Sequence, residues 1–382
     1  MSDFFDNYLD ETHRAVRANA KRFAEKHILP HAVAWEEAGI FDRGLFQEAA
    51  KAGVLGLGFS EEVGGEGGGA MHVLMGIEGM MTGGSTGVTV GLGSLGIALP
   101  PLVHSGNPDL MDRFVRPTLK GELIAALAIT EPNTGSDVAG VKTRAVRDGD
   151  HYVVNGAKMF ITSGTRADLL VTLCRTSDDP HAGLTFLVVE TSAEGVHLSK
   201  PLKKTGWWAS DTGEIQFENV RVPAANVVGG EGLGFYAVMQ NFQMERLALA
   251  GYGYVTAKLA YEAAAKYTKE REAFGRPIRN FQVIRHKLVE MATKVLTAQT
   301  LTYQVALNID KGMMPITEVS MAKNVCADIA MEVTYDAVQI FGGMGYMRET
   351  LVERLSRDAR LLPIGGGTTE IMKEIISRQL DL

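Results

Sequence analysis

The spacing of apolar residues changes character twice along the chain. Up to about residue 122 it is helical. Val16, Phe23 and Leu29 recur near helical spacing, and Phe46, Ala49 and Ala50 begin a second apolar face. Glycine is dense between Gly64 and Gly96, yet Val73-Leu74-Met75 and Val88-Thr89-Val90 lie among it, which predicts closely packed helices. Pro100-Pro101 and Asn107-Pro108 mark turns. From about 123 to 228 the runs shorten and become β-rich: His151–Val154, Leu169–Leu173, Thr185–Val189 and Glu214–Phe217. Asp148-Gly149 and Asn155-Gly156 are hairpin-type dipeptides. From about 229 long helical patterns span 233–270, 281–311 and 316–341, punctuated by Pro277, Gly312 and Pro315. The expected architecture is α+β: an N-terminal helical domain over 1–122, a middle antiparallel β-sheet or small β-barrel domain over 123–228, and a C-terminal helical bundle over 229–382.

Composition narrows the class. The chain has 382 residues, enough for two or three domains. A net charge of -7 without dense Lys/Arg runs argues against nucleic acid as a partner. Only Cys174 and Cys326 occur, so a disulfide framework is not expected, and a reducing cytoplasm is the simplest setting. The acidic start, Met1-Ser2-Asp3, matches no signal or transit peptide, and no run of about 18 apolar residues predicts a membrane span. The nine histidines are scattered and form no Cys/His ligand cluster, so no metal site is expected. Gly91-Leu92-Gly93-Ser94-Leu95-Gly96 matches a dinucleotide fingerprint but has no strand before it, and reads as helix packing. Trp207-Trp208 reads as structural, at the edge of the β block.

Four separated motifs carry chemistry. Thr130-Glu131-Pro132-Asn133-Thr134-Gly135-Ser136-Asp137 lets backbone approach a polar ligand, and Lys158-Met159-Phe160-Ile161-Thr162-Ser163-Gly164 follows it. Arg271-Glu272-Ala273-Phe274-Gly275-Arg276 precedes Phe281-Gln282, and Gln339-Ile340-Phe341-Gly342-Gly343 precedes Ile364-Gly365-Gly366-Gly367-Thr368-Thr369-Glu370. In this order they resemble the acyl-CoA dehydrogenase family over essentially the whole chain. The resemblance implies FAD as cofactor. Leu127, Ile129, Thr130, Gly135, Ser136, Phe160, Ile161 and Thr162 would cradle the flavin; many relatives carry tryptophan where Phe160 stands. Arg271, Phe274, Phe281, Gln282, Gln339, Gly343, Thr368 and Glu370 would hold the pyrophosphate and adenine, partly across a subunit boundary. Arg271 suits that role because its planar fork binds phosphate bidentately.

Most members of that family carry the catalytic glutamate where Gly366 stands. A carboxylate is still needed, and Glu245 is the candidate. On a helix over 233–270, Val238, Phe242, Glu245, Leu249 and Tyr252 share one face that is otherwise apolar or aromatic. Burial there would raise the carboxyl pKa toward the range a general base needs. Arg246 lies roughly 100° around the helix and need not neutralise it. A buried Glu245–Arg246 structural network is the competing reading. A glutamate before arginine here, with glycine at 366, is similar to the branch containing isovaleryl-, long-chain and citronellyl-CoA dehydrogenases.

The resemblance implies α,β-desaturation of an acyl-CoA thioester of medium, long or branched chain. Arg246, Gly366, Gly367 and Ser136 would contact the substrate, an electron-transferring flavoprotein would accept the electrons, and the protein would be a homotetramer. The acyl tail would end near residues 90–105 and 249–254. An acyl-CoA oxidase or flavin monooxygenase on the same fold is the alternative, with a DNA-binding relative further behind. Glu131, Glu214 and Glu370 serve as comparison carboxylates for the base.

Overall fold

The computed structural model describes residues 3–382. Helix α1, Glu11–His27, is closed at its start by Asp10, whose carboxylate accepts from His13 N. Helix α2, Ala70–Met80, begins on the carboxylate of Asp310, which accepts from Ala70 N (2.6 Å) and Met71 N (3.0 Å). Helix α3, Thr86–Gly93, contains the first half of the G-x-G match. A Cβ on Gly91 would lie 2.4 Å from the Phe41 ring, so this glycine serves close packing, as expected. The run Thr86–His104 is long and apolar enough to cross a membrane, which corrects the expectation that no such run exists. It is broken into short helices, and 67% of it is buried in the core.

The middle of the chain forms strands β1 Ala125–Ala128, β2 Arg144–Asp148, β3 His151–Thr162, β4 Leu169–Arg175, β5 Leu184–Glu190, β6 Val196–Leu198, β7 Thr212–Pro223 and β8 Val227–Val228. They order as β6-β7-β3-β2-β4-β5-β8, with β1 alongside β4. Most pairs are antiparallel, but β1 and β2 each meet β4 in parallel, so the sheet is mixed rather than wholly antiparallel. Its ladder ends at β6 and β8 and does not close into a hydrogen-bonded barrel. The parallel pair arises because β1 reaches β4 only after the long excursion through β2 and β3. Asp148-Gly149 does turn β2 into β3. Asn155-Gly156 does not turn: it is a bulge inside β3, where the register with β7 shifts. Gly156 has φ 146° there, and a Cβ would meet Thr143 at 2.7 Å, so glycine marks a close backbone approach.

Beyond the sheet come α4 Gly234–Glu270, α5 Gln282–Asp310, α6 Ile316–Phe341, α7 Leu351–Ala359 and α8 Thr369–Gln379. A short hairpin, β9 Glu272–Ala273 with β10 Arg276–Pro277, interrupts the expected all-helical block. Helix α4 packs most extensively on α6. Trp207 N donates to Asp358 Oδ1 (2.6 Å), and Trp208 lies under the guanidinium of Arg357, so the pair ties the β block to α7.

Candidate active site

A buried ion pair draws the two middle motifs together. Lys158 is fully buried on β3, and its Nζ donates to Glu131 Oε1 and to the Ile129 carbonyl, both at 2.9 Å. Glu131 also accepts from Lys142 N and Thr143 N at 2.8 Å. Burial alone would raise its pKa, but Lys158 and these donors hold it below the usual value. Met159 N donates to the Thr130 carbonyl at 2.8 Å. Phe160, one residue on, has φ 61° and is 61% exposed. The β3–β7 register shifts between Lys158 and Ile161, which turns this ring outward. Leu127, Thr130 and Thr162 are half-buried, and Gly135 and Ser136 lie exposed on the loop. Ile129 and Ile161 face the core, and their carbonyls accept from Lys158 Nζ (2.9 Å) and Gly164 N (3.0 Å).

The second group lies between α4, α6 and the loop before α8. Val238, Leu249 and Tyr252 are buried and Phe242 half-buried, as one apolar face of α4 requires. Glu245 stands among them, half-buried. Its pKa is pushed up to about 7 by burial, only partly offset by the charges of Arg246 and Lys323. No ion pair joins Glu245 to Arg246 among the described residues, as the helix geometry predicted. Arg246 is buried, and its Nε has no hydrogen-bond partner. Gly366 has φ 63° and Gly367 φ 95°. A Cβ on Gly366 would sit 3.5 Å from Glu245 Oε1 and 2.3 Å from Leu249 Cδ1. The glycine loop and the carboxylate therefore converge on one spot.

The third group stays apart. Arg271 is exposed where α4 ends, and its carbonyl accepts from Ile278 N (2.8 Å). Phe274, at φ 52°, is 95% exposed and meets Phe281 edge-on. Gln282, Gln339, Gly343 and Glu370 are exposed, and the Thr368 hydroxyl accepts from Ile371 N to start α8. No hydrogen bond or ion pair joins the Arg271–Gln282 segment to the Leu127–Thr162 group among the described residues.

Three family models match in order: the acyl-CoA dehydrogenase N-terminal domain over 10–122, the middle domain over 126–220 and the C-terminal domain over 232–380. The chain belongs to the acyl-CoA dehydrogenase family. It is 34% identical over 371 residues to the long-chain specific acyl-CoA dehydrogenase of Sus scrofa mitochondria, covering 96% of this chain and 86% of that protein. It is also 34% identical to the mitochondrial isovaleryl-CoA dehydrogenase of Pongo abelii, covering 97% and 89%. A solved structure of a probable acyl CoA dehydrogenase from Mycobacterium abscessus superposes with a TM-score of 0.96 at 48% identity, covering 98% of this chain and all of that one. The protein is thus an oxidoreductase of the acyl-CoA dehydrogenase type, and the family's members are flavoproteins of fatty acid metabolism.

The residues present fit a flavin. A strained, exposed Phe160 follows Met159, whose N–H bonds the Thr130 carbonyl, and precedes Thr162 by two residues, so an apolar ring stands close in the fold to polar groups. Arg271 has no ion-pair partner among the described residues, which leaves its guanidinium open to an anion. Lys323 on α6 is the residue that sequence reading passed over. It is 1% exposed, its Nζ donates to the Gly367 carbonyl at 2.7 Å, and burial lowers its pKa to about 8. Asn324 Nδ2 donates to the Thr369 carbonyl at 3.2 Å. A signal existed: Val319, Lys323, Cys326 and Ala330 share one buried helix face on which the lysine is the lone charge.

Proposed function

We propose that this chain removes two hydrogens from an acyl-CoA thioester to give the trans-2-enoyl-CoA, with a medium, long or methyl-branched acyl chain preferred over butyryl. The observation supporting this is the convergence of Glu245 and Gly366 on one spot. The family's commoner base position is a glycine here, and a carboxylate from α4 reaches the same place. Glu245 takes the α-proton. Its pKa of about 7 matches that task, because a base works best when its pKa lies near the operating pH. The Gly366 N–H faces the thioester oxygen as charge builds there. Arg246, Gly367 and Ser136 hold the CoA end. FAD, when bound, supplies the hydride acceptor; Leu127, Thr130, Phe160 and Thr162 would hold its ring and Arg271 its phosphates. An electron-transferring flavoprotein is the proposed electron acceptor.

Glu245→Gln keeps the size of the side chain and removes the base. Anaerobic flavin bleaching by acyl-CoA should slow by about 10²–10⁴ while flavin stays bound. The wild-type rate should rise with pH through about 7, as Glu245 loses its proton. Bleaching by the variant at the wild-type rate would remove Glu245 from the mechanism.

A further inference from the structure

Most large buried tyrosines of this chain spend their hydroxyl on a carboxylate. Tyr152 donates to Glu231 at 2.8 Å, Tyr254 donates to Glu78 at 2.9 Å, and Tyr303 also donates to Glu78. Tyr252 is the exception. It is 8% exposed, and its hydroxyl has no hydrogen-bond partner among the described residues. It opens on a cavity of about 100 Å³ walled by Leu55, Leu57, Val73, Ile77 and Leu92. A Cβ on Gly93 would lie 2.9 Å from the hydroxyl oxygen, so glycine is what makes room for it. The other polar side chain on the wall is Thr89, and its hydroxyl already donates to the Ser85 carbonyl at 3.2 Å.

A phenol in an apolar cavity is an odd economy. Phenylalanine would keep the edge-on contact with Trp207, whose ring centroid is 6.4 Å away, without a polar group to leave unsatisfied. The position of the hydroxyl is informative too. Tyr252 follows Glu245 by seven residues on the same face of α4, so it lies roughly 10 Å further along the helix. Leu249 stands between them, its Cδ1 directed at Gly366. A group bonded by Tyr252 is therefore remote from the α-carbon that Glu245 would deprotonate.

We propose that this cavity seats the outer part of the acyl chain, and that Tyr252 selects chains carrying an oxygen there, as a hydroxyl, ether or carbonyl. The proposal rests on the acyl-CoA reading above and names its substrate class more closely. The hydroxyl stays protonated, because burial raises its pKa well above the ordinary phenol value, so it is available as a donor at any assay pH.

The test compares unsubstituted decanoyl-CoA with decanoyl-CoAs bearing one hydroxyl or ketone at successive positions along the outer half of the chain. The readout is kcat/KM for flavin-dependent oxidation by the holoenzyme. At least one oxygenated member should exceed the parent by about two- to tenfold, the range of one neutral hydrogen bond. In Tyr252→Phe that ratio should fall to about one. The ratio is the quantity read because a general loss of fold or flavin lowers both substrates together. If every oxygenated chain is a poorer substrate than the parent, or if Tyr252→Phe leaves the preference intact, the proposal is wrong. If no acyl-CoA bleaches the flavin at all, the acyl-CoA reading fails first, and the two failures are told apart.

Discussion

Half-buried Glu245 on α4 and buried Lys323 on α6 carry opposite charges, and both lie against the Gly366-Gly367 turn. Lys323 acts twice. Its hydrogen bond to the Gly367 carbonyl fixes the left-handed glycine turn, and its charge favours ionised Glu245, against the desolvation that raises that carboxyl to about 7. Lys323→Met removes both effects. The sign follows: losing a positive neighbour raises the Glu245 pKa further, so the acid limb of the flavin-reduction pH profile should move to higher pH than in wild type. A purely structural lysine would lower the rate without moving that limb, and stopped-flow bleaching across pH separates the two cases. The residue scale also shows what sequence could and could not reveal. Glu245 stands out in the sequence as a lone acid on an apolar stripe, but only the glycine at 366, read against the family's pattern, makes it the candidate base. Lys323 interrupts its own stripe in the same way, yet a single lysine on a long helix resembles a solvated charge. The clash of a Gly366 Cβ with Leu249 is a three-dimensional fact with no sequence signal at all.

At the scale of elements, the three long C-terminal helices begin and end within a residue or so of the expected spans, because their apolar periodicity is long and their breakers are few. The sheet was less legible. Asn155-Gly156 has hairpin chemistry, but tertiary pairing with β7 carries the strand through it as a bulge. Parallel contacts with β4 depend on where distant strands meet, which local pattern does not encode. The Glu131–Lys158 pair explains how β1 and β3 hold the Thr130 and Phe160 segments side by side. It also disqualifies Glu131 as a neutral comparison carboxylate. Both partners are nearly or fully buried, so removing one leaves an uncompensated charge inside the protein. Lys158→Met should destabilise the fold by about 3–5 kcal/mol, read as a shift in the urea midpoint, and should weaken flavin retention at the same time. A variant with unchanged stability and full flavin content would show that these segments need no such clamp. Glu370 is set aside too, since it is among the residues implied for FAD; Glu214 remains a suitable comparison.

On the scale of the whole molecule, the residues implied for FAD divide between two surfaces that no hydrogen bond or ion pair joins within the described chain. The group on the Arg271–Gln282 segment and the end of α6 shares its exterior with several large exposed apolar side chains set among charged ones. Phe274 is 95% exposed, Tyr346 80%, Tyr335 68% and Val289 64%. Val289 follows Gln282 by seven residues on α5, and Tyr335 precedes Gln339 by four on α6, so each shares its helix face with an implied FAD residue. Such a surface is characteristic of an interface between subunits. We propose a homotetramer, a dimer of dimers, in which a neighbouring copy would bring Arg271 and Gln339 to the flavin. Assembly and cofactor retention are then linked by mass action. Val289→Glu sets a charge into that interface, where burying it unpaired is costly. Light scattering should report a smaller assembly for the variant than for wild type. Its flavin absorbance per chain should fall on dilution, whereas the wild-type protein should hold about one FAD per chain over the same range. The Leu127–Thr162 half of the site is untouched by this substitution, so flavin loss would trace to the missing neighbour rather than to a damaged cradle. A monomeric variant that keeps its full flavin and full rate would mean that one chain builds the whole FAD site by itself.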